Sequence, residues 1–234
     1  MEKYLNEYAF VTWQGRGHVT DLAEFLKMSG YNTLSGKYQY TLDDFISLSE
    51  ILLNLWKAAD ATRNQNNGFT FGHNYNLMLR IIEDNLTACN HKAMYDKAHD
   101  YYLIVEAKPE VTAVAEIVEE SLAFEVLRYN HRTLKGNLQE KRKILFLLGQ
   151  SLEINRKQLQ GINNQLADAI FNMLNNMGIR HNNQHNEDVL ANITEEELEE
   201  WYDELYQMML LAELELDNIE RMNKYKTDLK PKLI

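Results

Sequence analysis

The sequence contains little of the residue types that interrupt or cross-link a chain. Two of its 234 residues are proline and ten are glycine, so few positions disfavour a helix on local grounds. A single cysteine, Cys89, excludes an internal disulfide and any metal site built from several thiolates. Its neighbours Leu86 and Ala88 favour a small buried side chain over a nucleophile.

Long hydrophobic runs are also missing. No apolar stretch approaches the roughly 20 residues that a transmembrane helix requires. The first residues lack the charged and apolar blocks of a signal peptide. We therefore expect a cytoplasmic protein that does not enter a membrane. With 45% hydrophobic residues, the chain is suited to one large or two small folded domains.

Positive charge is scarce, since 24 Lys and Arg residues stand against 35 Asp and Glu residues. The net charge of -11 argues against nonspecific binding of nucleic acid by the protein as a whole. The distribution is uneven, however. Six cations and one acid lie between Arg128 and Lys143, whereas residues 187–220 contain 13 Asp and Glu residues and no Lys or Arg. A local basic surface is therefore compatible with the acidic total.

Apolar residues recur at helical spacing through most of the chain. Before residue 108, this pattern predicts two short helices around a glycine turn within residues 3–28, and longer helices at about 41–61, 73–86 and 93–105. Pro109 suits the first turn of a helix and not its interior. We therefore place a boundary there and assign residues 1–107 to an N-terminal helical region.

Residues 108–226 are predicted to form four helices. We expect them at about 111–129, at 138–148 with a continuation to 159 left open, at 166–177 and at 194–225. Thr194, followed three residues later by Glu197, is a capping-box signature for the last of them. Four helices with short connections are typical of an up-and-down four-helix bundle. The predicted fold class is all-α, with residues 227–234 as a loose basic tail.

The polar connection between the third and fourth of these helices concentrates side chains that can do chemistry. Gly178, after Met177, suits the left-handed conformation of a helix C-cap. Arg180 follows, and His181 comes directly after it. Four residues separate Arg180 from His185. Connections held between helices commonly present side chains to a ligand.

Arg180 and His185 at this spacing resemble the Arg-x4-6-His motif of the HEPN superfamily. Its members are all-α domains, many of them metal-independent ribonucleases of bacterial defence and toxin systems, including abortive-infection proteins. The resemblance covers about residues 106–223. It implies that His185 is the general acid or base, that Arg180 clamps phosphate and that His181 orients either partner. It also implies a homodimer that joins two motifs across a twofold interface, with an antitoxin or other regulatory protein as a further partner.

These residue types suit the cleavage of RNA by its own 2'-hydroxyl group. A histidine that titrates near neutrality can take the hydroxyl proton and return a proton to the leaving oxygen, while a guanidinium holds phosphate oxygens. Neither a metal nor another cofactor is needed. We therefore predict a metal-independent endoribonuclease of an abortive-infection or toxin-antitoxin system. The alternative is a catalytically silent HEPN-like module for binding or immunity.

Arg128, Arg132 and Lys135 fall at i, i+4 and i+7, which would place them on one face of a helix. Such a face can follow an RNA backbone, but it can equally be a solvated surface or pair with the acidic fourth helix. Asn182 and Asn183 can contact the RNA or simply form a turn.

A metal site is an alternative role for His181 and His185, which are four residues apart with Glu187 and Asp188 nearby. Zinc hydrolases place a glutamate between such histidines. Asparagine and glutamine occupy the intervening positions here. We therefore expect no metal.

Overall fold

The computed structural model describes residues 6–7, 10–13, 17–31, 39–61, 74–97, 99–180 and 190–233. Over these ranges the chain is mostly helical, as predicted, and it also contains a two-stranded sheet. The chain divides into two compact units, Met1–Ala107 and Lys108–Ile234. Nowhere in the described ranges does a helix combine the length and the apolarity that are needed to cross a membrane.

The N-terminal unit combines helices with a β-hairpin. Its main elements are α1 (Leu22–Met28), α2 (Leu42–Ala61), α3 (Asn74–Ala88), β1 (His91–Asp96) and β2 (Tyr101–Glu106). A single helical turn, Phe10–Thr12, precedes α1. The start of α2 is set by a reciprocal cap, because the Asp44 N–H donates to Thr41 Oγ1 at 3.2 Å and the Thr41 N–H donates to Asp44 Oδ2 at 2.9 Å. The predicted helices at 41–61 and 73–86 are confirmed.

The hairpin stands where a helix was predicted at residues 93–105, so that prediction was wrong. β1 and β2 pair antiparallel, with His91 opposite Glu106. The turn between them depends on polar residues: Asp100 adopts a left-handed conformation at φ 59°, and the His99 N–H donates to the Asp96 carboxylate at 3.1 Å. The aromatic and aliphatic run 101–105 then favours a strand.

Helix α2 covers the outer edge of β2. The Asn54 side chain donates to the Tyr102 carbonyl at 2.8 Å and accepts from the Tyr102 N–H at 2.7 Å. The Ile104 N–H donates to Glu50 Oε2 at 2.9 Å. These side chains satisfy backbone groups that a two-stranded sheet leaves open on its edge. The pairs lie 48 and 54 positions apart in sequence, so the contacts are tertiary.

The C-terminal unit is built from helices. They are α4 (Pro109–Ile117), α5 (Glu120–Arg128), α6 (Leu138–Ile154), α7 (Arg156–Ile162), α8 (Asn164–Asn176) and α9 (Glu195–Lys224). The predicted cap of α9 is confirmed, since the Glu197 N–H donates to Thr194 Oγ1 at 3.2 Å. The predicted C-cap of α8 is confirmed as well, because Gly178 has φ 67°.

The first helix predicted in this unit is two helices in the structure. Val118 and Glu119 are extended and separate α4 from α5, although the apolar spacing continues across them. Carboxylates at the start of α5 are favourable beside the positive end of a helix dipole. The break allows α4 and α5 to pack against each other.

Two further boundaries differ from the prediction. Helix α6 continues past Gly149 to Ile154, and α7 begins separately at Arg156. Where a loose tail was predicted at 227–234, the chain continues in helical turns, Tyr225–Leu229 and Lys230–Lys232, whose side chains are exposed.

The long helix α9 organises the core of the C-terminal unit, since it packs against α4, α6, α7 and α8. Its buried apolar side chains are Tyr202, Leu205, Tyr206, Met209, Leu210, Ala212 and Leu216. They repeat at helical spacing and therefore form one face. Full burial of each large apolar side chain contributes roughly 1.5–3 kcal/mol, which makes this face the main stabilising surface of the unit.

Gly149 marks a close approach between α6 and α8. A Cβ atom added at Gly149 would lie 2.9 Å from Leu174 Cδ1, and Leu174 is fully buried in the core. Leu174 therefore has little room to move aside. By contrast, a Cβ atom added at Gly161 in α7 would meet no atom within 4 Å.

We expect Gly149→Ala to lower the free energy of unfolding by about 1–2 kcal/mol, because overpacking costs more than the gain in helix propensity. Gly161→Ala is the matched control and should raise the free energy of unfolding by about 0.5–1 kcal/mol, since it gains propensity without a clash. Urea unfolding of both variants measures the difference. Stabilisation by both substitutions would contradict the close approach at Gly149.

Candidate functional site

Arg180 is the predicted catalytic residue that lies within the described ranges. His181 and His185, predicted to act in catalysis, lie outside the described residues, and so do Asn182 and Asn183, predicted to bind RNA. The roles of these four residues stay predictions.

Arg180 follows the end of α8 and is held against α6. Its backbone N–H donates to the Leu174 carbonyl at 3.0 Å, across the turn at Gly178. Its side-chain Nη2 donates to the Gly149 carbonyl at 3.1 Å and to Glu153 Oε2 at 2.5 Å. The side chain is 15% exposed. The guanidinium therefore has a defined position beside the C-terminal half of α6.

The ring of Phe171 positions two guanidinium groups. The centroid of this buried ring lies 5.1 Å from Arg180 Cζ and 4.3 Å from Arg156 Cζ. Arg156 Nη1 also contacts Glu153, at 3.2 Å from Oε1. Each guanidinium thus combines a cation-π contact with an ion pair to the same carboxylate. The arrangement links α6, α7 and α8 around the motif arginine.

Glu153 keeps its negative charge in this arrangement. Partial burial acts to raise its pKa, but hydrogen bonds from Arg180 and Arg156 outweigh that effect and lower the pKa of Glu153 below its ordinary value. Among the described residues, no partner occupies Nε or Nη1 of Arg180. An incoming phosphate can therefore bind these donors or compete with Glu153 for Nη2.

An open pocket of about 410 Å³ lies beside the end of α8. Its lining residues are Gln139, Arg142, Lys143, Phe146 and Leu147 of α6, together with Ile179. The spacing of the α6 residues places them on one face of that helix. Ile179 immediately precedes Arg180, so the pocket and the motif arginine are neighbours in the chain.

The two cations of the pocket differ in their surroundings. Lys143 is exposed and its Nζ lies 2.5 Å from Glu140 Oε1. Arg142 is half-buried and makes neither a hydrogen bond nor an ion pair with any residue of the described part. Of the described residues that line the pocket, none is acidic. Sequence reasoning did not single out Arg142, although its spacing from Phe146 and Leu147 on one helix was visible.

The predicted basic face of Arg128, Arg132 and Lys135 does not form on one helix. Helix α5 ends at Arg128, Arg132 lies in a separate 3-10 turn, Arg132–Leu134, and Lys135 follows that turn. Arg128 is paired with two carboxylates, at 3.0 Å from Glu125 Oε2 and 2.8 Å from Glu140 Oε2. Contact of these cations with RNA stays a prediction.

The acidic start of α9 instead meets Lys141, a buried residue of α6. Lys141 Nζ lies 2.7 Å from Glu199 Oε1 and 2.6 Å from Asp203 Oδ1. The Gly136 N–H donates to the same Glu199 oxygen at 2.7 Å. The basic segment 128–143 therefore contacts the acidic helix through Lys141, a residue outside the face that was predicted from Arg128, Arg132 and Lys135. Its apolar neighbours Ile144 and Leu145 gave no signal that this lysine is buried.

Two tyrosines complete this cluster. The Tyr129 hydroxyl donates to Asp203 Oδ1 at 2.9 Å, and the Tyr206 hydroxyl donates to the Val126 carbonyl at 2.6 Å. The two rings are stacked, with centroids 3.9 Å apart and an angle of 8° between the planes. Burial raises the pKa of both hydroxyls well above the ordinary value for tyrosine. They therefore remain hydrogen-bond donors at neutral pH, and the cluster stabilises the packing of α5, α6 and α9.

Metal ligands are not grouped in the part of the chain that the structure describes, where no set of three or more His, Cys, Asp or Glu side chains is placed to hold an ion. The pair His181 and His185 lies outside that part.

The chain matches no family model, and no curated protein or solved structure matches it significantly. The resemblance to the HEPN superfamily therefore depends on the motif and on its place between two helices.

We expect Lys141→Met to lower the free energy of unfolding by about 2–3 kcal/mol near pH 7, because Glu199 and Asp203 would lose their buried cation. Burial acts to raise the pKa of Glu199, but hydrogen bonds from Lys141 and Gly136 lower it overall. A lowered folded pKa stabilises the protein above the unfolded pKa, and this stabilisation is lost as the pH falls through the folded value. The difference between wild type and variant should therefore shrink as the pH falls from about 7 to below about 4.

Lys143→Met is the matched control, since it removes an exposed cation from the same helix and should cost less than about 1 kcal/mol. Urea unfolding at both pH values measures the two variants. If the loss in free energy of unfolding caused by Lys141→Met stayed constant with pH, Glu199 would not be the main partner of Lys141.

Proposed function

We propose that the protein is a metal-independent endoribonuclease with a HEPN-like site at Arg180 and His185. The observation that supports this most is the fixed position of Arg180 at the end of α8, where Phe171, Glu153 and the Gly149 carbonyl hold its guanidinium. In this proposal α4 with α5, α6, α8 and α9 supply the four segments of an up-and-down bundle.

Arg180 is the phosphate clamp of the proposed site. A guanidinium keeps its charge at any physiological pH and presents paired N–H donors that match phosphate oxygens. Because Arg180 is already held by its neighbours, little side-chain entropy is lost when a phosphate binds. Its Nε and Nη1 are directed to no partner among the described residues.

His185 is the general acid or base of the proposed site, and His181 orients either partner. A histidine near its ordinary pKa can both accept the 2'-hydroxyl proton and donate a proton to the leaving oxygen. One arginine and one histidine make a sparse site, so a second copy of the chain would supply a matching motif. Activity of this kind fits an abortive-infection or toxin-antitoxin system in which a regulatory protein restrains the enzyme.

A binding or immunity module without catalysis is the second candidate, and one observation favours it. The hydrogen bonds that the Arg180 side chain makes with the described residues go to α6 of its own chain. Arg180 can therefore act as a structural link between α6 and the end of α8, with no role in catalysis.

We expect the purified protein to cleave RNA in the presence of a chelator and His185→Ala to reduce the rate by about 100-fold to 10,000-fold, the usual contribution of a general acid or base. Circular dichroism should show unchanged helicity. Lys157→Gln, at an exposed position of α7, is the control and should cleave like the wild type. Equal rates for wild type and His185→Ala would remove His185 from the mechanism, and a requirement for added metal would contradict the metal-independent reaction.

Arg180→Lys separates the two candidates, because lysine keeps the charge but loses the planar pair of donors. If Arg180 clamps phosphate, cleavage should fall by at least about tenfold, while the free energy of unfolding changes by less than about 1 kcal/mol. Arg156→Lys is the matched control: Arg156 contacts the same Phe171 and Glu153 but lies outside the motif. It should retain most of the cleavage. Loss of stability without loss of cleavage would assign Arg180 the structural role.

A further inference from the structure

The pocket on α6 combines charge and apolar surface in a way that defines the chemistry of its ligand. Its volume of about 410 Å³ is in the range of sites that hold small organic molecules. Phe146 is half-buried, Leu147 is 41% exposed and Ile179 is buried, so the lining offers an apolar wall. Arg142 and Lys143 both line the pocket. A ligand that fills the pocket therefore has an apolar part and a negative charge.

Arg142 is the strongest indication of an anionic ligand. The protein has a net charge of -11, and the neighbouring cations Arg128, Lys141 and Lys143 are all paired with carboxylates. Arg142 has no such partner in the described part of the chain and is half-buried beside the pocket. A guanidinium in this position can bind a phosphate without first giving up an internal ion pair.

We propose that this pocket binds one unpaired nucleotide of the RNA, with Arg142 on the phosphate and Phe146 and Leu147 against the base. The inference rests on the proposed function and deepens it, because it assigns single-stranded RNA as the substrate class. Ile179, which lines the pocket, immediately precedes Arg180 in the sequence.

The apolar wall accounts for the preference for an unpaired base. A base inside a duplex is stacked on its neighbours and paired at its edge, so an aromatic side chain cannot cover its face. An unpaired base can stack on Phe146 and pack against Leu147. The pocket therefore selects single-stranded RNA, while the phosphate contact of Arg142 adds affinity irrespective of base identity.

Fluorescence anisotropy with a labelled single-stranded RNA of about ten nucleotides tests the inference, since sites for single strands span roughly 4–16 nucleotides. All proteins are full-length and contain His185→Ala, so that the proposed cleavage does not consume the probe. The pocket variants are Arg142→Gln and Leu147→Glu, and the control is Lys157→Gln, which removes an exposed cation of α7 outside the pocket. The same RNA annealed to its complement is the second probe.

We expect Arg142→Gln to weaken binding of the single strand by about fivefold or more and to reduce the slope of log affinity against log salt by about 0.7, the contribution of one phosphate contact. Leu147→Glu should weaken binding by a similar factor, because its carboxylate would repel the phosphate and occupy the base side of the pocket. As Leu147 is exposed, this variant tests the pocket even if Arg142→Gln does not fold. Lys157→Gln should bind like its parent, and the duplex should be affected less than the single strand.

Single-strand affinity unchanged by both pocket variants would overturn the inference, and so would an equal loss for single strand and duplex. The outcome is separable from the ribonuclease proposal. If the protein with His185 intact cleaves RNA while the pocket variants bind like the control, the pocket assignment is wrong and the nuclease stands. If RNA binds through Arg142 but is never cut, the pocket stands and the nuclease is wrong, whereas absence of any RNA binding overturns both.

Discussion

The burial of one face of α9 is the interaction on which the rest of the C-terminal unit depends. This face meets α4, α6, α7 and α8, so the position of every one of these helices is set against the same surface. The stacked rings of Tyr129 and Tyr206 and the ion pairs of Lys141 then fix the register of α9 on α5 and α6. Apolar burial provides most of the stabilisation, and the buried charges make a shifted register unfavourable because an unpaired lysine would remain in the core.

Helix α6 has three different surfaces, and together they define the candidate site. One side is buried against α9, a second approaches α8 closely at Gly149, and a third lines the pocket beside Ile179. The Arg180 side chain binds to the carbonyl of that same glycine and to Glu153 one turn further along. The motif arginine is therefore positioned by the close contact between α6 and α8 as well as by its own loop. A rigid helical support of this kind is what a positioned phosphate clamp requires.

Several parts of the fold and of the site followed from local signals in the sequence. Thr194 with Glu197, and Gly178 after Met177, marked helix ends correctly because capping depends on side chains within three residues of the cap. Other parts did not follow. The spacing of Arg128, Arg132 and Lys135 suggested one helix face, but the helix ends at Arg128. The periodicity of a sequence can continue across the end of a helix, as it also does at Val118, and so it does not reveal where the helix stops. The spacing of the cations also does not show which of them pairs with an acidic helix and which lines a pocket.

The sequence by itself determined the mostly helical character of the chain, the C-terminal end of α8 and the start of α9, because periodicity and capping are properties of neighbouring residues. Only the tertiary structure decided that residues 91–106 form a hairpin, since its outer edge is satisfied by Asn54 and Glu50 from α2. Tertiary structure likewise decided that Lys141 is buried with Glu199 and Asp203 while Arg142, its neighbour in the chain, lines a pocket. Adjacent residues on a helix point about 100° apart, and which of them meets an acidic partner depends on where another helix packs.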